Sequence, residues 1–337
     1  MKTEIYAKIV KAAGIKPGDL VLVQYWMEEQ LGEDAGYLQA AIAAAGATSM
    51  MVVQNLTISQ LVNEQVTETT YSDKFFKLYE DADVIIDLME RPVGVLKKPL
   101  EPEKMALLGA YMQRLFATCA SKKLLQLRVP TETMAKLENL TLADYRARLE
   151  AAMDVDYDKL KEQCEAKKAE AAKYSGIAIR TGDGQYAVSL SFGNRSWEVD
   201  AGDGDIPCGE IYIAPMEKET HGNVFFEKIY LPDVENPRAK RCFEKVVLTI
   251  EDGVIVRADQ DSLTDYLKEF EEEERTICEL GFGMNPSVKS LCGCAVLDEK
   301  MDGTFHLGIG DNTMFGGKNE AGLHVDLIGK GEYEWVM

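Results

Sequence analysis

From residue 1 to residue 135 the apolar positions switch repeatedly between helical spacing and short unbroken runs, the pattern of buried strands covered by helices. Residues 1–13 predict a helix with Ile5 and Ile9 on one face, stopped by Gly14 and the turn pair Pro17-Gly18. Strands are predicted at 20–25 and 49–54, with an alanine-rich helix at 35–45 between them, closed by Gly46. Further strands at 83–89 and 124–129 continue the series, and between them Met105, Leu108, Met112 and Leu115 fall on one helical face. The expected assembly is an open α/β sheet. After its first strand a dinucleotide-binding sheet carries a glycine-rich turn; here the chain reads Trp26-Met27-Glu28-Glu29, which offers a pyrophosphate no cradle.

Residues 131–173 are polar and predict helix, with Tyr157, Leu160, Cys164 and Ala171 at helical spacing until Tyr174-Ser175-Gly176 breaks the run. Beyond that break the apolar period becomes two, at 177–179, 186–192, 210–214 and 224–231. A hairpin follows, in which Asp252-Gly253 joins 246–250 to 254–256. One helix at 262–274, capped by Asp261 or Ser262, interrupts the strands and ends in the acidic run Glu271 to Glu274, a solvated face. The fold class expected is α/β: an N-terminal open α/β sheet domain at 1–135, then a helical connection and a β-rich α+β domain at 136–337.

Composition narrows the function classes. With 46% hydrophobic and 28% charged residues the 337-residue chain is neither disordered nor fibrous. No apolar run approaches the ~20 residues of a membrane helix and the N-terminus lacks a secretory signal, so a cytoplasmic protein without membrane partners is expected. Lys and Arg total 37 against 57 Asp and Glu, a net charge of −20 that opposes nucleic acid. The seven cysteines are scattered, and Cys292-Gly-Cys294 has no second pair at zinc-site spacing, so reduced thiols are expected.

The chemistry concentrates in the second half, where all three histidines lie. His324-Val325-Asp326 places an imidazole and a carboxylate on one face of a strand, within reach of one ion. His306 sits in a short glycine-broken strand, where a buried imidazole without a role is costly. Between the two histidines runs a glycine-rich polar loop from Asp311 to Asn319, of which Lys318 and Asn319 could bind a substrate. Upstream, Glu279 and Glu210 each stand beside glycine in apolar company, where a carboxylate needs a positive partner. Two Glu, two His and one Asp could hold two divalent ions, a donor set suited to zinc, cobalt or manganese. His221 lies in a polar turn and Asp203 and Asp205 in a glycine turn, and neither is assigned a ligand role.

These segments, in this order, resemble the aminopeptidase T family of metallopeptidases, and Gly14-Ile15-Lys16-Pro17-Gly18-Asp19 is similar to that family's first domain. The resemblance implies a metal-binding second domain with Glu210, Glu279, His306, His324 and Asp326 as ligands, Glu279 as bridging carboxylate or general base, and a homodimer. The leading expectation is a hydrolase releasing N-terminal residues from short peptides through a metal-activated water. Two departures stand out: Thr313 occupies the place of the family's tyrosine seven residues after the middle histidine, and the segment between the histidines is shorter. The same superfamily contains 2,5-dihydroxypyridine dioxygenases, in which two His and one Asp hold one iron. His306, His324 and Asp326 would supply that triad for Fe(II) and ring cleavage. A third reading is a metal-binding scaffold without turnover.

Overall fold

The computed structural model describes residues 2–26, 32–89, 96–235 and 239–337. Met27, Glu28 and Glu29 therefore lie outside the described residues. The chain forms two compact units, Met1–Tyr157 with Gly202–Pro207, and Asp158–Ala201 with Cys208–Met337. The sequence reading divides it at residue 135 instead.

The first unit holds a parallel five-stranded sheet in the order Thr48–Gln54, Leu20–Trp26, Val84–Met89, Lys123–Arg128 and Asp205–Ile206. Val21, Leu22 and Val23 are all fully buried, so both faces of that strand are covered, which explains its unbroken apolar run. On one face Leu22 and Ile85 pack with Phe76 and Tyr79 of helix Asp73–Glu80 and with Leu108, Tyr111 and Leu115 of helix Pro102–Ala120. The buried amide of Gln24 in the strand is satisfied: Tyr79 donates to its Oε1 at 3.0 Å and its Nε2 donates to Asp87 at 2.6 Å. The polar stretch 131–173 contains three helices, Glu132–Leu137, Leu142–Met153 and Tyr157–Ala171. The first two start where the hydroxyls of Thr131 and Thr141 accept the backbone N–H groups of Met134 and Asp144.

The second unit contains two antiparallel sheets. Six strands run in the order Val254–Ala258, Lys240–Glu251, Thr220–Pro232, Tyr186–Ser191, Gly176–Thr181 and Glu332–Val336. The expected hairpin is present, with φ of 48° at Asp252 and 81° at Gly253, the left-handed pair that a tight two-residue turn requires. Five strands form the other sheet, in the order His324–Gly329, Phe305–Gly310, Ile277–Gly283, Glu210–Ile213 and Glu198–Asp200. Its apolar face meets the six-stranded sheet, Phe305 against Phe226 and Phe282 against Trp335, with ring centroids 6.1 and 6.0 Å apart.

The helix expected at 262–274 is shorter, Asp261–Leu267, and its N-cap is Gln260 rather than Asp261 or Ser262. Like charges at helical spacing, Glu269 with Glu273, oppose its continuation, and Glu273–Arg275 forms a separate 3-10 turn. The observed class is the expected one, an open α/β sheet followed by a β-rich α+β unit. All seven cysteines are free thiols. Among the described residues no helix is long and apolar enough to cross a membrane.

Candidate metal centre

Antiparallel pairing puts directly opposed side chains on the same face of a sheet. In the five-stranded sheet one row is apolar, including Leu280, Phe282, Leu307 and Leu327, all buried. The other row carries Glu210, Tyr212, Glu279, His306, His324 and Asp326, and glycine stands opposite each of them. Gly283 pairs with Glu210, Gly281 with both His306 and Tyr212, Gly308 with both Glu279 and Asp326, and Gly310 with His324. The glycines make room for the converging side chains. A Cβ at Gly281 would lie 2.0 Å from His306 Nε2, and one at Gly308 would lie 2.7 Å from Glu279 Cβ and 3.2 Å from Asp326 Oδ1.

Convergence follows. Glu279 lies between the imidazoles, Oε1 at 3.1 Å from His306 Nε2 and Oε2 at 3.3 Å from His324 Nε2. Asp326 Oδ1 is 3.4 Å from His324 Nε2, and Glu210 Oε2 is 3.6 Å from His306 Nε2. His306 is 1% exposed, whereas the His324 side chain, at 32%, forms the open side of the cluster. His324 Nδ1 donates to the Asp311 carbonyl at 2.8 Å, which turns Nε2 toward the carboxylates, where it donates a proton to them or, deprotonated, offers its lone pair to a cation.

Electrostatics show the cluster's demand for positive charge. Burial disfavours the charged imidazoles, yet the Glu279 hydrogen bond and the Asp326 and Glu210 charges outweigh it and lift His306 from 6.5 to about 9. His324 is lifted further, against burial, by Asp326. Burial would also raise Glu279 and Asp326, but Glu279's bonds to both imidazoles and the His324 charge beside Asp326 hold the two below the usual carboxylate range. Glu210 and Glu299 move the other way, raised by burial in spite of the Lys300 ammonium. A group of side chains that draws protons this strongly draws a divalent cation for the same reason.

Glu279, His306 and Asp326 each offer a ligand atom, and these atoms lie within 4.8 Å of one another. Glu210 Oε2, His306 Nδ1 and Asp326 Oδ1 are buried without a hydrogen-bond partner. Two imidazoles and buried, under-satisfied carboxylates fit a metal ion.

All five residues singled out in the sequence thus reach one face, but Glu210 differs from the rest. Its Oε1 accepts from Lys300 Nζ, and that ammonium also pairs with Glu299 at 3.0 Å and Asp200 at 3.3 Å. Lys300, Glu299 and Asp200 escape a sequence reading, because Asp298-Glu299-Lys300 has the composition of a solvated turn. Thr313 donates its hydroxyl to Asp311 at 2.8 Å. Asn319 holds the loop, its amide donating to the carbonyls of Glu273 and Gly310. His221 is exposed at the start of strand Thr220–Pro232, where its Nδ1 accepts the Asp252 N–H.

A family profile described as 2,5-dihydroxypyridine 5,6-dioxygenase matches residues 2–331. Among solved structures, the 2,5-dihydroxypyridine dioxygenase from Pseudomonas putida KT2440 is similar over 99% of this chain and 93% of its own, with 16% identity and a TM-score of 0.65. Wild-type AmpT from Thermus thermophilus is similar over 100% of this chain and 97% of its own, with 12% identity and a TM-score of 0.67. At such identities the two structures testify to fold alone. No curated protein matches the sequence. The profile match, covering nearly the whole chain, overturns the leading expectation of a peptide-cleaving hydrolase, and with it the aminopeptidase and protease reading. The resemblance to aminopeptidase T misled, because carboxylates and imidazoles on one sheet face serve either chemistry.

Proposed function

This chain belongs to the 2,5-dihydroxypyridine 5,6-dioxygenase family, and on that premise we propose that it opens the ring of a dihydroxylated pyridine with dioxygen at a single ferrous ion. One iron here takes the place of the two zinc, cobalt or manganese ions expected above. The observation that carries the proposal is the meeting of His306, His324 and Asp326 on one sheet face around Glu279. Two imidazoles and one carboxylate are the donor set of non-haem ferrous oxygenases, and they leave positions open.

When bound, ferrous iron supplies the one-electron chemistry that lets dioxygen react with a closed-shell ring. His306, His324 and Asp326 would hold it, and the Asp311 carbonyl keeps the His324 ring oriented. Glu279, buried and held as the carboxylate, is placed to take the proton of a ring hydroxyl as the substrate settles. Phe315 packs edge-on to Tyr212 at 5.5 Å and lies 5.9 Å from the His324 ring, an aromatic side against which a flat heterocycle can stack.

The test is oxygen consumption. Protein loaded anaerobically with ferrous iron should take up one O2 for each 2,5-dihydroxypyridine whose ring absorbance disappears. Full iron loading with no oxygen uptake on this or any other dihydroxypyridine would overturn the proposal.

A further inference from the structure

Glu210 stands in the ligand row, yet its carboxylate is already held by a cation that belongs to the chain. Lys300 is 1% exposed, and its ammonium faces three carboxylates, Glu210 Oε1, Glu299 Oε1 at 3.0 Å and Asp200 Oδ2 at 3.3 Å. Its ammonium donates to Glu210 Oε1 and forms ion pairs with the other two, so three carboxylates surround one buried positive charge. Asp200 and Glu210 are directly opposed across neighbouring strands, so their like charges lie close together on one face unless a cation separates them. Glu210 then spans two cation positions: Oε1 on the Lys300 ammonium, and Oε2 at 3.6 Å from His306 Nε2. In a two-ion centre a carboxylate so placed would bridge the metals. Here one of the two positions is filled by a side chain, which cannot leave and which repels a second divalent ion at short range.

We propose that Lys300 sets the ion count of this centre, its ammonium standing where a second metal ion would bind against Glu210, Glu299 and Asp200. The centre then holds one ion, on the His306, His324 and Asp326 side, and loss of the ammonium opens a second divalent site. The proposal deepens the single-iron function above and rests on the reading that those three residues bind metal.

The experiment counts ions on the full chain, independently of turnover. Metal-free wild type, Lys300→Met and Lys300→Arg are dialysed against Mn(II), bound metal is measured by elemental analysis, and electron paramagnetic resonance distinguishes isolated from exchange-coupled Mn(II). Wild type and Lys300→Arg, which keeps the charge, should saturate at one ion with an uncoupled signal. Lys300→Met should bind two, with a coupled signal. Wild type that binds two, or folded Lys300→Met that still binds one, overturns the proposal and leaves the metal centre itself standing. Wild type that binds none overturns the metal-binding reading beneath it. Should Lys300→Met fail to fold, Lys300→Gln, uncharged but still able to hydrogen-bond Glu210, takes its place: two ions with a coupled signal support the proposal, and one ion bound to the folded variant overturns it.

Discussion

Gly281→Ala adds one methyl group, removes no ligand atom, and should abolish tight metal binding. Gly281 pairs with His306 across adjacent strands, and its new Cβ would sit 2.0 Å from Nε2 and 2.2 Å from Cε1 of that ring, against an ordinary contact of at least 3.4 Å. One of the two must withdraw by about 1.4 Å, several times the ~0.5 Å tolerance of a working ligand constellation. The backbone cannot yield easily, because strand Ile277–Gly283 is hydrogen-bonded to Phe305–Gly310 on one side and to Glu210–Ile213 on the other. The ring moves, and His306 Nε2 leaves Glu279 and Glu210. Overpacking of this kind costs about 1–3 kcal/mol of stability. Misplacing a reacting group by about 1 Å costs about 10²-fold in turnover, and metal affinity should fall by at least the ~10–100-fold seen when a ligand merely loses its support. The assay titrates metal-free Gly281→Ala with Mn(II) or Fe(II) by calorimetry, beside chemical denaturation of the same sample. Gly109→Ala is the control: in helix Pro102–Ala120 its Cβ meets nothing within 4 Å, so stability should rise by about 0.5–1 kcal/mol with metal binding unchanged. Wild-type affinity in Gly281→Ala would refute the idea that glycines opposite the ligands create the site.

His324→Ala and Asp326→Ala should each lose tight metal binding while the far-ultraviolet circular dichroism stays native, whereas His221→Ala, altering an exposed histidine, should bind as the wild type does. Asn312→Ala removes a buried amide that donates to the Cys278 carbonyl at 3.1 Å and accepts the Asn319 N–H at 2.8 Å. It should cost about 1–3 kcal/mol in denaturant unfolding and, by loosening the Asp311 carbonyl that orients His324, weaken metal binding about 10–100-fold in the same titration. In metal-free protein, His306 is lifted from 6.5 to about 9, so the stability it contributes is complete below pH 6.5 and is lost as the pH rises through 9. Thermal unfolding of the metal-free chain should therefore drop across that window, and the His306→Gln variant should show a shallower drop; equal slopes would count against the assignment.

Local patterns in the sequence already determined much of this protein. Unbroken apolar runs at Leu20 and Val84 announce strands covered on both faces, and a period of two beyond Gly176 announces antiparallel ones. Asp252-Gly253 specifies its turn through backbone conformation alone, and His324-Val325-Asp326 declares a shared face because strand periodicity is a property of consecutive residues. Where the helix beginning at Asp261 ends, near Leu267, is less legible, since repulsion among successive glutamates competes with an otherwise acceptable helical pattern. Only the tertiary structure decided which glycine faces which ligand, because register between strands is set by packing across the sheet, far outside any sequence window. Lys300 is the sharpest case: in the sequence it is one more charged residue in a polar turn, and in the fold it is a buried ammonium among three carboxylates. A residue type carries its charge wherever it stands, but the strength of that charge depends on the solvent it has lost and the groups it meets, and only the folded chain fixes both.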